Sequence, residues 1–306
     1  MYHFSRSARV GFAVGVVAAW LGGLLTLGGV GVSRGAIPAI KSGETIAFLG
    51  DSITYFGGAW PGGYVNLVVR GLAANGIDVK AVKAGVGGDT SVNMLARLKA
   101  QVLARKPDWM TLSCGVNDVW HGSRGGVLLP EYEKNIKSIV RQAQAAGIKV
   151  MIMTSSLIGE NPQDPNNRKL VAYNQFLRRL AIQKHCLLAD INAAEVALLR
   201  RDRHLGRWHG NLLTVDGVHP NPLGHVMFAQ TILRAFGLNA AEIKKARQSW
   251  KSAPQSCLLW GFTINLSWPE YRQLAVAAER AHTSVDVLLN RAIQRAVHRR
   301  LPARTR

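Results

Sequence analysis

Residues 45 to 54 read Thr45-Ile46-Ala47-Phe48-Leu49-Gly50-Asp51-Ser52-Ile53-Thr54, an apolar run that breaks at a glycine into a small polar turn. This pattern predicts a buried β-strand that ends at a functional loop. Ser52 would then lie at the carboxyl edge of a sheet. A serine hydroxyl is a weak nucleophile until a base takes its proton and donors stabilise the oxyanion that forms. We therefore expect the rest of the chain to supply both kinds of group.

Three later blocks carry groups of these kinds. They are Gly87-Gly88-Asp89-Thr90, Gly115-Val116-Asn117-Asp118 and Asp216-Gly217-Val218-His219-Pro220. In the last block, a three-residue spacing on a tight turn lets the carboxylate of Asp216 reach the near ring nitrogen of His219. The far ring nitrogen of His219 would then face Ser52, as in a catalytic triad.

The four blocks, in this order, resemble those of the SGNH (GDSL) hydrolases. The resemblance implies a serine ester hydrolase that works through an acyl-enzyme intermediate, without a cofactor or a metal ion. Carried over position by position, it makes Ser52 the nucleophile, His219 the base and Asp216 the residue that orients the base. It assigns the oxyanion hole to the backbone N–H groups of Ser52 and Gly88 and to the side-chain amide of Asn117.

From Glu44 onward, short apolar runs alternate with amphipathic segments, which is the pattern of βα units around a parallel sheet. Strands are predicted at residues 45–49, 79–84, 109–114, 150–154 and 186–190. Helices are predicted near residues 63–75, 92–104, 130–146, 168–184, 193–201 and 222–236. We therefore expect an α/β fold, a three-layer α/β/α sandwich with a parallel, flavodoxin-like five-stranded sheet. Ligands bind outside the carboxyl ends of the strands in such sheets.

The chain divides into three predicted regions: residues 1–43, a hydrolase domain at 44–239 and a basic extension at 240–306. In the first region, Arg6 and Arg9 precede a long apolar run. A basic segment followed by an apolar one is typical of a secretory signal peptide, and this run is also long enough to span a bilayer. A cleaved signal peptide and an uncleaved membrane anchor both predict export to the cell envelope or the extracellular space.

The C-terminal extension differs in character from the hydrolase domain. Ala240–Trp250 predicts a basic helix, alternating apolar residues from Phe262 predict a short strand, and Ser267-Trp268-Pro269-Glu270 forms a capping box that begins the first of two further helices. This strand-helix-helix order resembles a ribbon-helix-helix unit, which implies a homodimer formed through the extension. Packing of these helices onto the hydrolase domain of the same chain is the alternative.

The net charge of +20 at pH 7 and a pI of about 10.6 favour acidic partners. The extension contributes strongly, with 12 Lys and Arg residues against 4 Asp and Glu residues. Export argues against contact with chromosomal DNA, so we expect no nucleic-acid partner. An anionic polymer of the cell envelope or a membrane surface fits both observations.

Aromatic side chains near the four blocks are candidates for substrate contacts. Tyr55, Trp120 and Trp208 lie within a few residues or one loop of these blocks, and their rings suit stacking on sugars, although core packing is the alternative. Together with export, they favour O-acetylated carbohydrate or short-chain esters as substrates. A lysophospholipase-like or thioesterase-like acyl hydrolase, and a non-catalytic carbohydrate-binding protein on the same fold, are the alternatives.

Three further features bear on the site. We interpret the acids Asp51, Asp89 and Asp118 as holding their turns by hydrogen bonds, with a divalent metal site as the alternative. The cysteines (Cys114, Cys186 and Cys257) are interpreted as small apolar side chains, because three cannot all pair and no Cys/His cluster suggests zinc. Lys83 stands where an asparagine is frequent in the family, which leaves the hydrogen bonding of the second block open.

Overall fold

The computed structural model of the protein describes residues 38–204, 211–253, 255–259 and 262–300. The predicted export segment and Trp208 lie outside these described residues. Within them, no helix is both long enough and apolar enough to cross a lipid bilayer.

Five parallel strands form the central sheet, in the order β2-β1-β3-β4-β5. They are β1 (Thr45–Gly50), β2 (Lys80–Gly85), β3 (Trp109–Ser113), β4 (Lys149–Met153) and β5 (Leu187–Ala189). Every residue of β3, and all but the first of β1, is buried, as is typical of parallel strands that helices cover on both faces. This order is the flavodoxin-like one, and the predicted fold class is confirmed.

Helices pack on the sheet in two groups. They are α1 (Ser52–Ala59), α2 (Tyr64–Ala73), α3 (Ser91–Gln101), α4 (Val116–Trp120), α5 (Leu129–Ala145), α6 (Pro165–Gln183), α7 (Ile191–His204), α8 (Pro222–Ala235), α9 (Ala240–Trp250), α10 (Trp268–Arg280) and α11 (Val285–Arg300). Helix α2 contacts α8 and α9, whereas α5 contacts α3 and α6. The sheet lies between these groups, so the first and third layers are helical.

Helix α5 shows how the sequence pattern produces this packing. Its apolar side chains recur at helical spacing and are all buried on one face (Tyr132, Ile136, Ile139, Val140 and Ala143). The helix begins with Pro130 in its first turn, where a missing N–H costs nothing. The chain leaves the helix through Gly147, whose φ of 76° favours glycine. The predicted bounds of this helix therefore agree with the structure to about one residue.

Three short elements were not predicted. Ser52 begins helix α1 rather than lying in a loop, and Asn117 lies in the first turn of α4. These helices have only 8 and 5 residues, too few for a helical period to be recognised. In the C-terminal extension, β6 (Gln255–Leu259) pairs antiparallel with β7 (Phe262–Leu266), and only the second of these two strands was predicted.

The C-terminal helices contact the rest of the same chain. Helix α9 buries Ile243, Ala246 and Trp250 in the main core, and the indole Nε1 of Trp250 donates to the carbonyl of Leu67 at 2.8 Å. Helices α10 and α11 form a second cluster of apolar side chains, and Leu223 of α8 packs against it. The apolar faces of the extension are therefore covered in part by its own chain. The predicted division after residue 239 stays a prediction.

Candidate active site

The sheet topology brings three of the four predicted blocks to one edge. Strand β1 lies between β2 and β3, and all three strands run in the same direction. Ser52 follows the end of β1, Gly88 follows β2 and Asn117 follows β3. The carboxyl ends of these neighbouring strands therefore place the three residues around one point of the sheet edge.

The turn that carries Ser52 is built by its neighbours. Asp51 caps helix α1, and its carboxylate accepts the backbone N–H of Ile53 at 2.9 Å. Burial raises the pKa of Asp51 to about 7, against the lowering effect of that hydrogen bond. At Gly50 a Cβ atom would lie 2.0 Å from the hydroxyl oxygen of Thr54, so only glycine fits this close turn. Ser52 is thus held at the first position of a helix.

A continuous chain of hydrogen bonds links Ser52 to the fourth block. The imidazole Nε2 of His219 lies 2.9 Å from the Ser52 Oγ, and its Nδ1 lies 2.6 Å from the Asp216 Oδ2. The other oxygen of Asp216 accepts the backbone N–H groups of Val218 and His219, at 2.9 and 2.8 Å. This is the geometry in which a carboxylate fixes the tautomer of an imidazole whose far nitrogen meets a serine.

The same contacts keep Asp216 ionised. Partial burial would raise the pKa of its carboxyl, but the hydrogen bonds from the His219 ring and from the backbone lower that pKa overall. The carboxylate is therefore charged throughout the neutral range and can stabilise an imidazolium on His219.

Phe56 is a contact of the imidazole that was not identified from the sequence. Its ring meets the ring of His219 edge to face, with centroids 5.3 Å apart, and stacks on Trp60 at 4.6 Å. Because Phe56 lies one helical turn after Ser52 on α1, it packs against the same imidazole that Ser52 contacts. An aromatic residue four positions after the serine was the available signal.

Two of the predicted oxyanion donors, Gly88 on the loop after β2 and Asn117 in α4, lie on segments that contact each other. Gly88 adopts a φ of 80°, which favours glycine, and its loop is tied to β1 because Val86 donates its N–H to the Gly50 carbonyl at 3.1 Å. Asn117 is buried, and its Nδ2 donates to the backbone carbonyl of Asp89 at 3.0 Å. An amide nitrogen carries two hydrogens, so a second donor is left for a ligand.

Arg97 on α3 braces this region and was also missed. Its guanidinium donates to the carbonyls of Gly50 and Ala84, each at 2.9 Å, and to the carboxylate of Asp89 at 2.5 Å. One side chain therefore ties together the ends of β1 and β2 and the loop that carries Gly88. The position alone gave no signal, because arginines at helix surfaces are common.

Lys83, the departure from the family pattern, has a local role. Its ammonium group donates to the carbonyl of Gly58 at 2.7 Å, near the C-terminal end of α1. A cation there offsets the unsatisfied carbonyls of the helix terminus. The loop of the second block keeps its own backbone hydrogen bond through Val86, so the lysine leaves that loop intact.

Two of the three aromatic residues predicted to contact substrate lie within the described residues. Tyr55 and Trp120 are 52% and 45% exposed, and each lies three residues after a predicted site residue, Ser52 and Asn117 respectively. Helices α1 and α4 therefore each carry an exposed aromatic ring three residues after a predicted site residue. Trp208 lies outside the described residues.

The acidic side chains of the blocks are engaged in structural hydrogen bonds. Asp51 caps α1, Asp89 pairs with Arg97, and Asp118 accepts the backbone N–H of Ser91 at 2.9 Å. Across the described ranges, no group of three or more His, Cys, Asp and Glu side chains is arranged to hold a metal ion. Of the cysteines with described side chains, Cys114 is buried and Cys186 is half-buried, and both are free thiols.

The C-terminal extension comes close to the fourth block, which the sequence did not indicate. Leu223 lies four residues after His219 and packs against the cluster formed by α10 and α11. In the first turn of α11, burial raises the pKa of Asp286 to about 6, and the nearby negative charge of Asp216 adds to that rise. Helix α11 is therefore within electrostatic reach of the catalytic turn.

Comparison with known proteins agrees with this geometry. A sequence model of the GDSL-like lipase/acylhydrolase family matches residues 48–227. The acetylxylan esterase of Geobacillus stearothermophilus is 32% identical over 65% of this chain and 96% of its own length. Its crystal structure superposes with a TM-score of 0.58 over 66% of this chain and 97% of that chain.

A second relative is the esterase TesA of Pseudomonas aeruginosa, which is 29% identical over 58% of this chain and 80% of its own length. The family match covers more than half of the chain and contains all four blocks. By its sequence, its fold and its site, the chain belongs to the GDSL-like lipase/acylhydrolase (SGNH) family.

Proposed function

We propose that this carboxylic ester hydrolase works through an acyl-enzyme formed on Ser52. The observation that carries the proposal is the hydrogen-bonded chain from the Ser52 Oγ through His219 to Asp216, with links of 2.9 and 2.6 Å. The same three residue types in the same geometry generate a nucleophile on unrelated folds.

In the first half of the reaction, the Ser52 Oγ attacks the ester carbonyl carbon while the Nε2 of His219 takes the hydroxyl proton. The tetrahedral intermediate collapses when His219 gives this proton to the departing alcohol, which leaves an acylated Ser52. In the second half, His219 takes a proton from water, whose oxygen attacks the acyl carbon. Collapse returns the proton to Ser52 and releases the carboxylic acid.

Negative charge develops on the carbonyl oxygen in both halves. We propose that the backbone N–H groups of Ser52 and Gly88 and the amide of Asn117 donate to that oxygen. Donors fixed in advance stabilise the transition state without a cost of reorganisation at the moment of reaction. The brace formed by Arg97 supports this assignment, because it fixes the loop of Gly88 relative to the strand that precedes Ser52.

For the substrate we propose a short acyl group, such as acetyl, on a carbohydrate. The relative named an acetylxylan esterase aligns over nearly its whole length. The exposed rings of Tyr55 and Trp120 are suited to sugar faces. An acyl hydrolase with longer chains is the second candidate, because TesA and a thioesterase/lysophospholipase of Escherichia coli are also relatives.

Acyl-length preference tests this assignment. We expect kcat/KM for p-nitrophenyl acetate to exceed that for the decanoate, and acetate to be released from acetylated xylooligosaccharides. Ser52→Ala and His219→Ala proteins serve as controls and should lose hydrolysis by roughly 10³-fold or more. A preference for the decanoate, with no acetate release from the oligosaccharides, would favour the second candidate.

Export is likewise a proposal, which rests on the basic and apolar pattern of residues 1–43. Fusion of these residues to a reporter that is active only outside the cytoplasm tests it. A silent reporter would contradict export, and mass spectrometry of the mature N-terminus would separate cleavage from anchoring.

We also propose that the basic extension binds an anionic polymer of the cell envelope. A cleft of about 510 Å³ between α9 and α10 supports this proposal, because four cationic side chains line it (Lys244, Arg247, Lys251 and Arg272) with a single acid, Glu279. Among the described residues, none of the four cations has an ion-pair partner. We expect the protein to be retained on polygalacturonate at low salt. The Lys244→Gln/Arg247→Gln double variant should lose this retention. Binding to anionic vesicles alone would favour a membrane surface.

Dimerisation through the extension also stays a proposal. In the structure β7 pairs with β6 of the same chain, and α10 and α11 pack against Leu223. The remaining support is the exposed side of α11, where Ile293 is 39% exposed. Light scattering of the full-length protein decides the point, since a monomer mass would contradict the homodimer.

A further inference from the structure

One acidic side chain outside the four blocks contacts the loop that carries Asp216 and His219. Glu160 lies in the loop after β4 and is only 7% exposed. Its Oε2 accepts the backbone N–H of Leu212 at 2.6 Å, and its Oε1 accepts the N–H groups of Leu213 and Thr214 at 2.7 Å each. The Thr214 hydroxyl also donates to Oε1, at 2.7 Å. Three successive amides and a hydroxyl therefore converge on one carboxylate.

These amides lie at the base of the catalytic turn. The turn is closed by a bridge between Thr214 and Pro220, and by a hydrogen bond from the Val215 N–H to the His219 carbonyl at 2.8 Å. Asp216 and His219 lie between the two sides of this closure. Any shift of the base would therefore move Asp216 and His219 together, relative to Ser52 on α1.

The neighbouring residue, Gly159, holds the tip of the same turn. Its N–H donates to the carbonyl of Gly217 at 2.6 Å, and a Cβ on Gly217 would lie 3.5 Å from the Gly159 Cα. Gly217 has a φ of 93°. Two consecutive residues, Gly159 and Glu160, therefore contact the turn at its tip and at its base.

The loop that carries this pair is itself fixed. The side chain of Asn167 accepts the N–H of Ile158 at 2.8 Å and donates to the carbonyls of Ile158 and Asn161, at 2.9 and 2.7 Å. Glu195 accepts the N–H of Leu157 at 2.8 Å. The contacts thus run from α6 and α7 through the loop to the catalytic turn.

We infer that Glu160 is a positioning residue, whose carboxylate holds the loop of Asp216 and His219 at the distance from Ser52 that catalysis requires. The three amides and the hydroxyl of residues 212–214 are all donors, so they fit a side chain that accepts at both oxygens. A glutamine in this place would set its NH₂ group against at least one backbone N–H. A displacement of about 1 Å in a catalytic group can cost roughly 10²-fold in rate.

The test compares Glu160→Gln with a matched control, Asn174→Ala. Asn174 is also buried and makes two hydrogen bonds to the backbone of Ser155, and within the described residues it has no hydrogen bond to residues 212–214. Both variants should lose stability because buried backbone groups lose partners. With p-nitrophenyl acetate, we expect Glu160→Gln to lose about 10- to 100-fold in kcat with KM within about twofold. Asn174→Ala should keep kcat within about twofold of the parent protein.

Hydrogen exchange supplies a readout that does not depend on substrate. The amides of residues 212–214 should exchange faster in Glu160→Gln and at the parent rate in Asn174→Ala. Thr214→Val, which removes only the hydroxyl donor, should give a smaller loss of kcat than Glu160→Gln and covers the case in which the glutamine variant does not fold. The inference would be overturned if Glu160→Gln and Asn174→Ala lost kcat equally. It would also be overturned if either Glu160→Gln or Thr214→Val left kcat and amide exchange unchanged.

The inference rests on the proposed function, and the two fail in different ways. If the Ser52→Ala protein keeps its activity, the proposed mechanism fails even when the exchange result stands. If Ser52→Ala is inactive but Glu160→Gln behaves as the parent protein does, only the positioning role fails.

Discussion

Asn117 shows at the residue scale how one side chain can hold the fold and still be free to act in the proposed reaction. One of its two amide hydrogens bonds to the Asp89 carbonyl, which fixes the side chain relative to the loop of Gly88. Among the described residues, the other hydrogen has no protein acceptor, and the proposed mechanism assigns it to the oxyanion. An interaction made only in the transition state changes kcat rather than KM.

We therefore predict that Asn117→Ala lowers kcat by roughly 10²- to 10³-fold with little change in KM. Steady-state kinetics with p-nitrophenyl acetate measure both constants. Asn135→Ala is the control, because Asn135 is also buried but donates to the Ser91 hydroxyl rather than facing the site. A change confined to KM would show that Asn117 binds the ground state of the substrate instead.

At the scale of secondary structure elements, the brace from α3 holds the ends of β1 and β2 together. Removing the guanidinium of Arg97 would take one donor from the Asp89 carboxylate and one from each of the carbonyls of Gly50 and Ala84. The side chains of this pair are only 13% and 10% exposed, so water would compensate poorly.

Arg97→Met should consequently lose about 3 kcal/mol of unfolding free energy and much of its kcat. Urea denaturation and ester hydrolysis provide the two measurements. Lys99→Met, an exposed lysine on the same helix, is the matched control and should change neither quantity. Unchanged stability in Arg97→Met would mean that the strand ends hold their positions without the brace.

A buried acid of α7, Glu195, makes the stability of the fold depend on pH. Burial raises the pKa of Glu195 to about 8, and the nearby charge of Glu160 adds to the rise. The folded protein therefore holds a proton on Glu195 that the unfolded chain has already released. Because the folded state binds more protons, this residue lowers stability as pH rises from about 4.5 through 8.

Glu195→Gln removes the titrating carboxyl group and keeps an acceptor for the Leu157 N–H. We predict that the variant is more stable relative to the parent protein at pH 7 than at pH 5. The difference in unfolding free energy, variant minus parent, should be about 2 kcal/mol larger at pH 7. Urea denaturation at the two pH values measures this difference. A difference that does not depend on pH would show that Glu195 titrates normally in the folded protein.

At the scale of the whole molecule, the sequence predicted the sheet, its longer helices and the four blocks, because period and turn chemistry are local properties. It did not predict the roles of Arg97 or Glu160. Glu160 contacts residues more than 50 positions away in the chain, from Leu212 to Thr214. Such a pairing follows from how β4 and the last loop meet in three dimensions, and no local pattern encodes it.

The approach of the extension to the catalytic turn escaped prediction for the same reason. Helices α10 and α11 were correctly predicted as helices, but their apolar faces do not specify a partner. The contact with Leu223 depends on the path of α8 and α9 across the sandwich. Amphipathic patterns predict that a face is buried, not what buries it.

Trapping the covalent intermediate tests the acyl-enzyme mechanism of Ser52 directly. The protein is mixed with p-nitrophenyl acetate, quenched in acid within the first turnover and digested, and the peptides are analysed by mass spectrometry. We expect an acetyl group on Ser52 that is absent from the Ser52→Ala protein, and this variant should also fail to turn over the ester, as the acyl-enzyme mechanism requires. Hydrolysis at the parent rate by Ser52→Ala, or acetylation at another residue that kinetics show to lie on the pathway, would contradict it.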